Sequence, residues 1–266
     1  MLKRMFITRL FGGKMTKRKI VAIIQARSGS TRLANKIHKK LHTKSLLEHI
    51  IERVTSLKCI DEIVIASTLN TQDRIIKSIA KKNSCKYFFG SQEDVLERFY
   101  FAAKENCADI IIRVTSDDPF KDPTIIQKAL DLLMEKDLDY VSNTINPTYP
   151  EGIDIEIFTF KALQKAYKGA KLDSEKEHVT PYIWKNSKIF KVYNFEYTKN
   201  ISHLRWTIDY ECDFEFAKLV YEKLYPTKKL FLMQDILNLL QKEPYLSDIA
   251  QNVVRNEGYL KSLQTD

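Results

Sequence analysis

Ile20, Val21, Ala22, Ile23 and Ile24 form an unbroken apolar run, and the chain turns polar and cationic directly after it, reading QARSGSTRLANK over 25–36. Five apolar residues without alternation match a strand buried on both faces, the pattern of parallel sheets. Strand-like runs recur at 63–67, 87–89, 109–114 and 140–142, separated by stretches at 45–57, 71–82, 94–106 and 123–136 with helical apolar spacing. This alternation predicts βαβ units: a three-layer α/β fold with a mostly parallel, mixed sheet. The loops at the carboxyl ends of such strands share one edge, where open α/β sheets bind ligands. Beyond residue 230, Phe231, Ile236, Leu239, Leu240, Ile249, Val253, Val254 and Leu260 keep helical spacing without a chemical motif, which predicts helices packed on the core.

No Pro/Gly/Ser-rich linker or internal repeat interrupts the pattern, so residues 19–266 read as a single domain. At 266 residues and 44% hydrophobic content, the chain can bury one substantial core. The formal charge of +9 suggests nucleic acid until it is located. Lys3, Arg4, Arg9, Lys14, Lys17, Arg18 and Lys19 supply seven charges with no acid among them, leaving 9 − 7 = +2 for the rest. The body is nearly balanced and carries no basic stripe with interleaved aromatics, which argues against nucleic-acid binding. Residues 1–18 read as a basic, disordered extension upstream of the domain. Its apolar stretch is too short for a signal peptide or a membrane span. Cys59, Cys85, Cys107 and Cys212 show no CxxC and no paired histidines, so they read as buried, reduced structural thiols of a cytoplasmic protein.

The loop after the first strand carries the chemistry. Arg27, Arg32 and Lys36 surround Ala26, Ser28, Gly29, Ser30 and Thr31, small residues whose backbone N–H groups can turn toward an anion. Guanidinium forks match phosphate oxygens two at a time, and a lysine adds a point charge. Three cations suit a triphosphate, although a solvated surface explains the same spacing. Neither GxxxxGK[ST] nor GxGxxG occurs, which sets aside a Walker-type ATPase and a dinucleotide dehydrogenase. Asp117 ends the 109–114 strand, and Asp209 ends a short β-like run at 205–208; two carboxylates from distant strand ends suffice for a divalent cation. A turn or cap beside Asp118 and Pro119 explains Asp117 equally well. Asp154 and Glu156 alternate on one side of an expected strand at 151–156, with a solvated face as the competing reading. His178 is either structural or a ligand contact, and Trp206 reads as core.

An apolar strand followed by QARxGSxRLxxK resembles the opening of the CTP-dependent sugar-acid cytidylyltransferases, in particular the spore-coat-polysaccharide branch of the acylneuraminate enzymes. The 3-deoxy-manno-octulosonate cytidylyltransferases are a more distant resemblance. GSQEDVLERFY at 90–100, IIRVTSDDPFKDP at 111–123, DYVSNT at 139–144, YPEGIDIEIF at 149–158, EKEHVTPYI at 175–183 and SHLRWTIDYECDFE at 202–215 follow in that family's order. The family usually reads Pro-Gly where this chain has Ala34 and Asn35, and Gly-Asp where it has Ser116 and Asp117. These departures read as a variant of the phosphate loops.

The resemblance implies a Rossmann-like, GT-A-like nucleotidyltransferase fold with residues 145–205 as an acceptor-side and dimerisation lobe. It implies nucleotidyl transfer from CTP to a sugar acid or sugar phosphate, with pyrophosphate released, in a cytoplasmic homodimer. Ala26, Arg27, Ser28, Gly29, Ser30, Arg32, Lys36, Ser91, Arg113 and Thr115 fall in its nucleotide half. Asp117 and Asp209 match its Mg²⁺ ligands and, with Arg27 and Lys36, its catalytic set. Asp154, Glu156, Glu177, His178 and Arg205 fall on the acceptor side. Two other classes stay open: a nucleotide-sugar glycosyltransferase of related fold, for which SDD at 116–118 only loosely approximates a DxD motif, and a noncatalytic nucleotide-binding subunit.

Overall fold

The computed structural model describes residues 8–11, 14–29, 32–33, 36–249 and 253–266. Its principal sheet comprises β1 (Ile20–Gln25), β2 (Glu62–Thr68), β3 (Lys86–Gly90), β4 (Ile110–Thr115), β5 (Tyr140–Ser142), β6 (Glu156–Thr159) and β7 (Val192–Asn194). These seven strands lie in the order β7-β5-β6-β4-β1-β2-β3, and only β6 runs antiparallel to its neighbours β4 and β5. β1 pairs parallel with β2 through Val21 to Glu62 and with β4 through Ile20 to Ile110, so Gln25 and Thr115 end side by side. The chain proceeds from β1 outward to β2 and β3, then returns to β4 on the other side. That reversal opens a crevice at the carboxyl ends of β1 and β4.

Alternate residues of each strand feed two cores. Ile20, Ala22, Ile24, Ile110, Ile112 and Val114 face α1 (Leu46–Thr55), α4 (Pro123–Glu135), α8 (Glu211–Leu224) and α9 (Met233–Lys242). Val21, Ile23, Val64, Ala66, Ile111 and Phe158 face α3 (Val95–Glu105), α5 (Phe160–Gly169) and α7 (Pro181–Lys185). α2 (Ile75–Lys82), α6 (Asp173–His178) and α10 (Glu257–Ser262) complete the helices named here. The helix starts are written locally. Ser45 and Glu48 form a capping box on α1, Asp94 caps α3, and Asp122 caps α4 ahead of Pro123.

Several expectations about strands and cysteines are corrected. Of the extension expected at 1–18, residues 1–7 and 12–13 lie outside the described residues; within it, Thr8–Phe11 pairs antiparallel with Lys14–Lys17. Lys17, Arg18 and Lys19 form ion pairs with Asp61, Asp137 and Glu62, which accounts for part of the local excess of positive charge. Residues 205–208 form no strand; Arg205 makes an isolated parallel bridge with Glu151. The strand expected at 151–156 begins only at Glu156, because Gly152 takes a left-handed φ of 98° that breaks the extended path. A Cβ on Gly152 would lie 2.7 Å from the Thr207 nitrogen, so this turn also needs glycine for close approach. Cys107 is exposed at a turn and the other cysteines are half-buried, so none is a core thiol. No helix among the described residues is long and apolar enough to cross a membrane.

Candidate active site

Lys36 sits in a short 3-10 turn (Lys36–His38) beyond the β1 loop, with its ammonium buried between segments distant in sequence. Its Nζ donates to Asp117 Oδ2 at 3.1 Å, to Asp209 Oδ1 at 3.0 Å and to the Ile208 carbonyl at 3.0 Å. The Ile208 N–H donates to the Asp117 carbonyl at 2.9 Å, stitching the two acidic segments together. Burial opposes the charge on Lys36, yet Asp117 and Asp209 outweigh it and raise the ammonium's pKa. Burial likewise pushes the Asp117 carboxyl up, but Lys36 and Thr115 more than offset this and hold it below the usual range. Asp118 moves the other way: burial raises its pKa, despite Lys121 Nζ at 2.7 Å.

Two cavities meet at this point. A larger one of about 650 Å³ is lined by Ala26, Arg27, Arg32, Lys36, Arg98 and Ser116 among others. A smaller one of about 420 Å³ is lined by Thr115, Lys121, Glu151, Asp154, Glu156, Thr180, Trp184 and Arg205, with Asn256 to Tyr259 closing one side. Gln25, Arg113, Asp117 and His178 line both, so Asp117 stands at the junction. Asp209 reaches the smaller cavity and takes the Arg32 Nη2 donor at 3.0 Å.

Not every predicted nucleotide residue turns toward the larger cavity. Ala26, Arg27, Arg32, Lys36 and Arg113 line it, with Arg27 exposed. Ser28 does not: its N–H donates to Asp73 Oδ1 at 2.6 Å, and its hydroxyl faces the Gln72 carbonyl. Gly29 is exposed outside the lining, and Ser30, Ala34 and Asn35 lie outside the described residues. Ser91 caps the loop below Asp94 by accepting from its N–H at 2.9 Å. Thr115 lines the smaller cavity instead, with its hydroxyl donating to Asp118 at 2.7 Å.

Among the residues expected on the acceptor side, Glu156 accepts from Tyr140 at 2.8 Å and also from Thr180 and Arg113. Burial opposes ionisation of Glu156, but Arg113 and the two hydroxyls win and its pKa falls. Arg205 is buried and gripped by Glu151 at 2.7 Å, Asp213 at 3.0 Å and Asp209 at 3.3 Å, so it organises carboxylates rather than offering an open cation. Asp213 also accepts from the N–H groups of Asp209 and Tyr210 at 2.9 Å each, fixing the start of α8. Glu177 borders the larger cavity, not the smaller one. Burial, then the charge of Arg113, lowers the His178 pKa well below the ordinary imidazole range. Trp206 is core, at 1% exposure, and His203 is exposed outside both cavities.

Sequence reasoning missed four contributors. Lys121 is 2% exposed and bonds both Asp118 and the Asp154 carbonyl. Glu151 lies in the quoted YPEGIDIEIF block but was not singled out as an anchor for Arg205. Arg98 lies in GSQEDVLERFY, within the helical stretch at 94–106, where nothing in the spacing marks it out. The largest omission is the C-terminal segment, read as core-packing helix. Val254 and Leu260 are exposed at 63% and 46%, while Arg255 binds Asp154, the Asn256 N–H meets Glu151 at 2.9 Å, and Glu257 takes Arg32 at 2.9 Å and Tyr210 at 2.7 Å. Ser262 reaches His178 at 3.0 Å, and the Tyr259 ring stands 5.2 Å from it, edge on. The available signal was the unbroken polar run Arg255, Asn256 and Glu257, followed by Gly258, which interrupts the apolar spacing.

The cytidylyltransferase family matches this chain over residues 21–253. A Methanocaldococcus jannaschii protein, MJ1063, is 39% identical over 91% of this chain and 98% of its own length. The spore coat polysaccharide biosynthesis protein SpsF of Bacillus subtilis is 32% identical over 77% of this chain and 87% of its own length. The solved structure of a cytidylyltransferase from Leptospira borgpetersenii superposes with a TM-score of 0.84 at 32% identity, covering 89% of this chain and 99% of that one.

Proposed function

Because the chain belongs to the cytidylyltransferase family and is thus a nucleotidyltransferase, we propose that it transfers CMP from CTP to a sugar acid or sugar phosphate, releasing pyrophosphate, as a step of surface-glycan synthesis. The observation that carries this reading is the meeting of Asp117 and Asp209 on one buried ammonium where a cationic cavity joins a smaller polar one. The name of the Bacillus relative supports the glycan context.

The donor set fits Mg²⁺. Asp117 and Asp209 already direct oxygens at a shared cation, Lys36 Nζ, and two carboxylates plus phosphate oxygens and water are what Mg²⁺ commonly takes. Bound there, Mg²⁺ supplies positive charge that polarises the α-phosphate and aligns the reactants. The chain's own residues do the rest. Arg27, Arg32 and Lys36 bind the β- and γ-phosphates, with Lys36 turning from the carboxylates toward them. An acceptor oxygen from the smaller cavity attacks the α-phosphorus, a sugar-acid hydroxyl giving up its proton to solvent water and a sugar phosphate attacking as the anion with none to lose. The new P–O bond forms, and the bridging P–O bond breaks with its electrons leaving on pyrophosphate. The same three cations offset that developing charge. His178, held neutral at pH 7 by burial and Arg113, serves as a hydrogen-bond partner for the acceptor.

The test is Mg²⁺-dependent pyrophosphate release with CTP, UTP, GTP or ATP against a pooled panel of sugar acids and sugar phosphates, run beside Asp117→Ala. Release restricted to CTP, and reduced at least about a hundredfold in the variant, is the expected result. CTP that neither binds in calorimetry nor yields pyrophosphate would overturn the reading.

A further inference from the structure

Arg98 is a buried cation without an anion. Its residue is 3% exposed and projects from the first turns of α3 into the larger cavity. Nη1 donates to the Ser91 carbonyl at 2.8 Å, while Nε is buried with no partner. A carboxylate whose charge reaches it, Asp73, already accepts from the Ser28 N–H and the Thr68 hydroxyl. Burial and the proximity of Arg27 both act against the guanidinium's charge. Gly90 packs against the stem: a Cβ there would lie 3.3 Å from Arg98 Cγ, so the side chain has little freedom to swing out. Burying a charge in this way is costly unless a partner with matching acceptors arrives.

Arg32 and Lys36 stand next to Asp117 and Asp209, where phosphates belong. The loop between β3 and α3 adds Gln92, Glu93 and Asp94 to the lining beside Arg98, and Arg27 is the phosphate-loop cation whose charge acts on Arg98. Carboxylates in that loop disfavour a triphosphate, whereas a base with both acceptors and a donor suits the mixture.

Resting on the nucleotide site proposed above, we propose that Arg98 selects the base, donating from its guanidinium fork to the N3 and O2 acceptors of cytosine. The exposed Glu93 carboxylate stands ready to accept from the exocyclic amine, the donor that acidic side chains recognise on cytosine. Uracil presents N3–H where cytosine presents an acceptor, so a guanidinium, which has donors only, would oppose it and lose its bond. Arg98 is therefore a specificity-determining residue for the proposed reaction, separate from the phosphate-binding loop.

Calorimetry on the full chain, in Mg²⁺, with CTP, UTP and inorganic tripolyphosphate tests this for the wild type, Arg98→Gln and Arg98→Lys. The expected outcome is CTP preference in the wild type and a roughly ten- to hundredfold loss of CTP affinity in both variants. That loss should approach the UTP level while tripolyphosphate affinity stays unchanged. Arg98→Lys keeps the charge and a donor for the Ser91 carbonyl, so it decides the matter if Arg98→Gln fails to fold. Equal weakening of tripolyphosphate would make Arg98 a phosphate ligand and overturn base selection. Unchanged CTP and UTP affinities would leave it a brace for the Ser91 loop and also overturn it. A wild type that binds no nucleotide would instead overturn the underlying functional reading.

Discussion

Replacing Lys36 by methionine removes the ammonium but keeps most of the stem, so the perturbation is chiefly electrostatic. In the wild type that ammonium lies 3.1 Å from Asp117 Oδ2 and 3.0 Å from Asp209 Oδ1, with side-chain exposures of 11%, 31% and 15% for Lys36, Asp117 and Asp209. Breaking a fully buried pair costs about 3–5 kcal/mol; the part-exposed Asp117 is screened, so about 2–3 kcal/mol is expected at pH 7.5. For a chain of this size that is a fall of roughly 4–12 °C in Tm. The pH dependence has a definite sign. Asp117 has a depressed pKa in the folded wild type, so its contribution is present above the unfolded value and is lost as pH falls through the folded one. In the variant Asp117 loses its cation while Asp209 keeps Arg32 at 3.0 Å and Arg205 at 3.3 Å. The Asp117 carboxyl loses the main cause of its depressed pKa, so the deficit is largest near neutrality and shrinks toward acid pH. Scanning calorimetry from pH 4.5 to 8, with and without millimolar Mg²⁺, reads all of this. Mg²⁺ should stabilise Lys36→Met more than it stabilises the wild type, because the divalent ion takes the place of the missing ammonium. A variant with wild-type Tm at pH 7.5, or with no differential response to Mg²⁺, would refute the convergence of these carboxylates on one cation.

Two further outcomes are expected. Glu257 holds Arg32 at 2.9 Å on the cation proposed to bind phosphate, so Glu257→Gln should bind Mg²⁺-CTP roughly two- to fivefold more tightly in calorimetry; equal or weaker binding would exclude competition by this carboxylate. His49 is 1% exposed and its Nε2–H donates to the Leu41 carbonyl at 2.6 Å, with burial lowering its pKa to about 4. Because the unfolded imidazole takes up a proton first, stability should fall as pH drops from about 6.5 toward 4, by about 2 kcal/mol at pH 5. His49→Gln, which can keep the donor but does not titrate, should lose that slope in urea titrations at pH 7 and pH 5, and an unchanged slope would assign it elsewhere.

The parts of this molecule that were legible in the sequence are those fixed by periodicity over short spans. The apolar run at 20–24 and its successors became β1 to β5, because alternate side chains on both faces had to be covered by the intervening amphipathic helices. The expected shared edge at the carboxyl ends of these strands placed Arg27, Lys36 and Asp117 together without knowledge of any contact, whereas the strand order itself was not legible. Long-range pairing was not legible. The partners of Arg205 are Glu151 and Asp213 because an isolated bridge, not a strand, brings Glu151 across; a run of β-formers at 205–208 gives no sign of that.

The same limit explains the C-terminal segment. Helical spacing of Val253, Val254 and Leu260 resembles a core stripe only if the segment packs along a helix face, yet Asn256 takes a left-handed φ of 55° immediately before α10 and breaks the register. With the stripe broken, the polar side chains decide where the segment lies: Arg255 goes to Asp154 and Glu257 to Arg32 and Tyr210. These contacts come from residues beyond the 21–253 span matched by the family, while their partners lie within it. A phosphate approaching Arg32 must compete with Glu257, and that carboxylate belongs to the same short segment whose Asn256 to Tyr259 line the smaller cavity. On the proposed assignment of the two cavities, the nucleotide cation Arg32 and the wall of the smaller cavity thus share one short piece of chain that apolar periodicity alone assigns to the core.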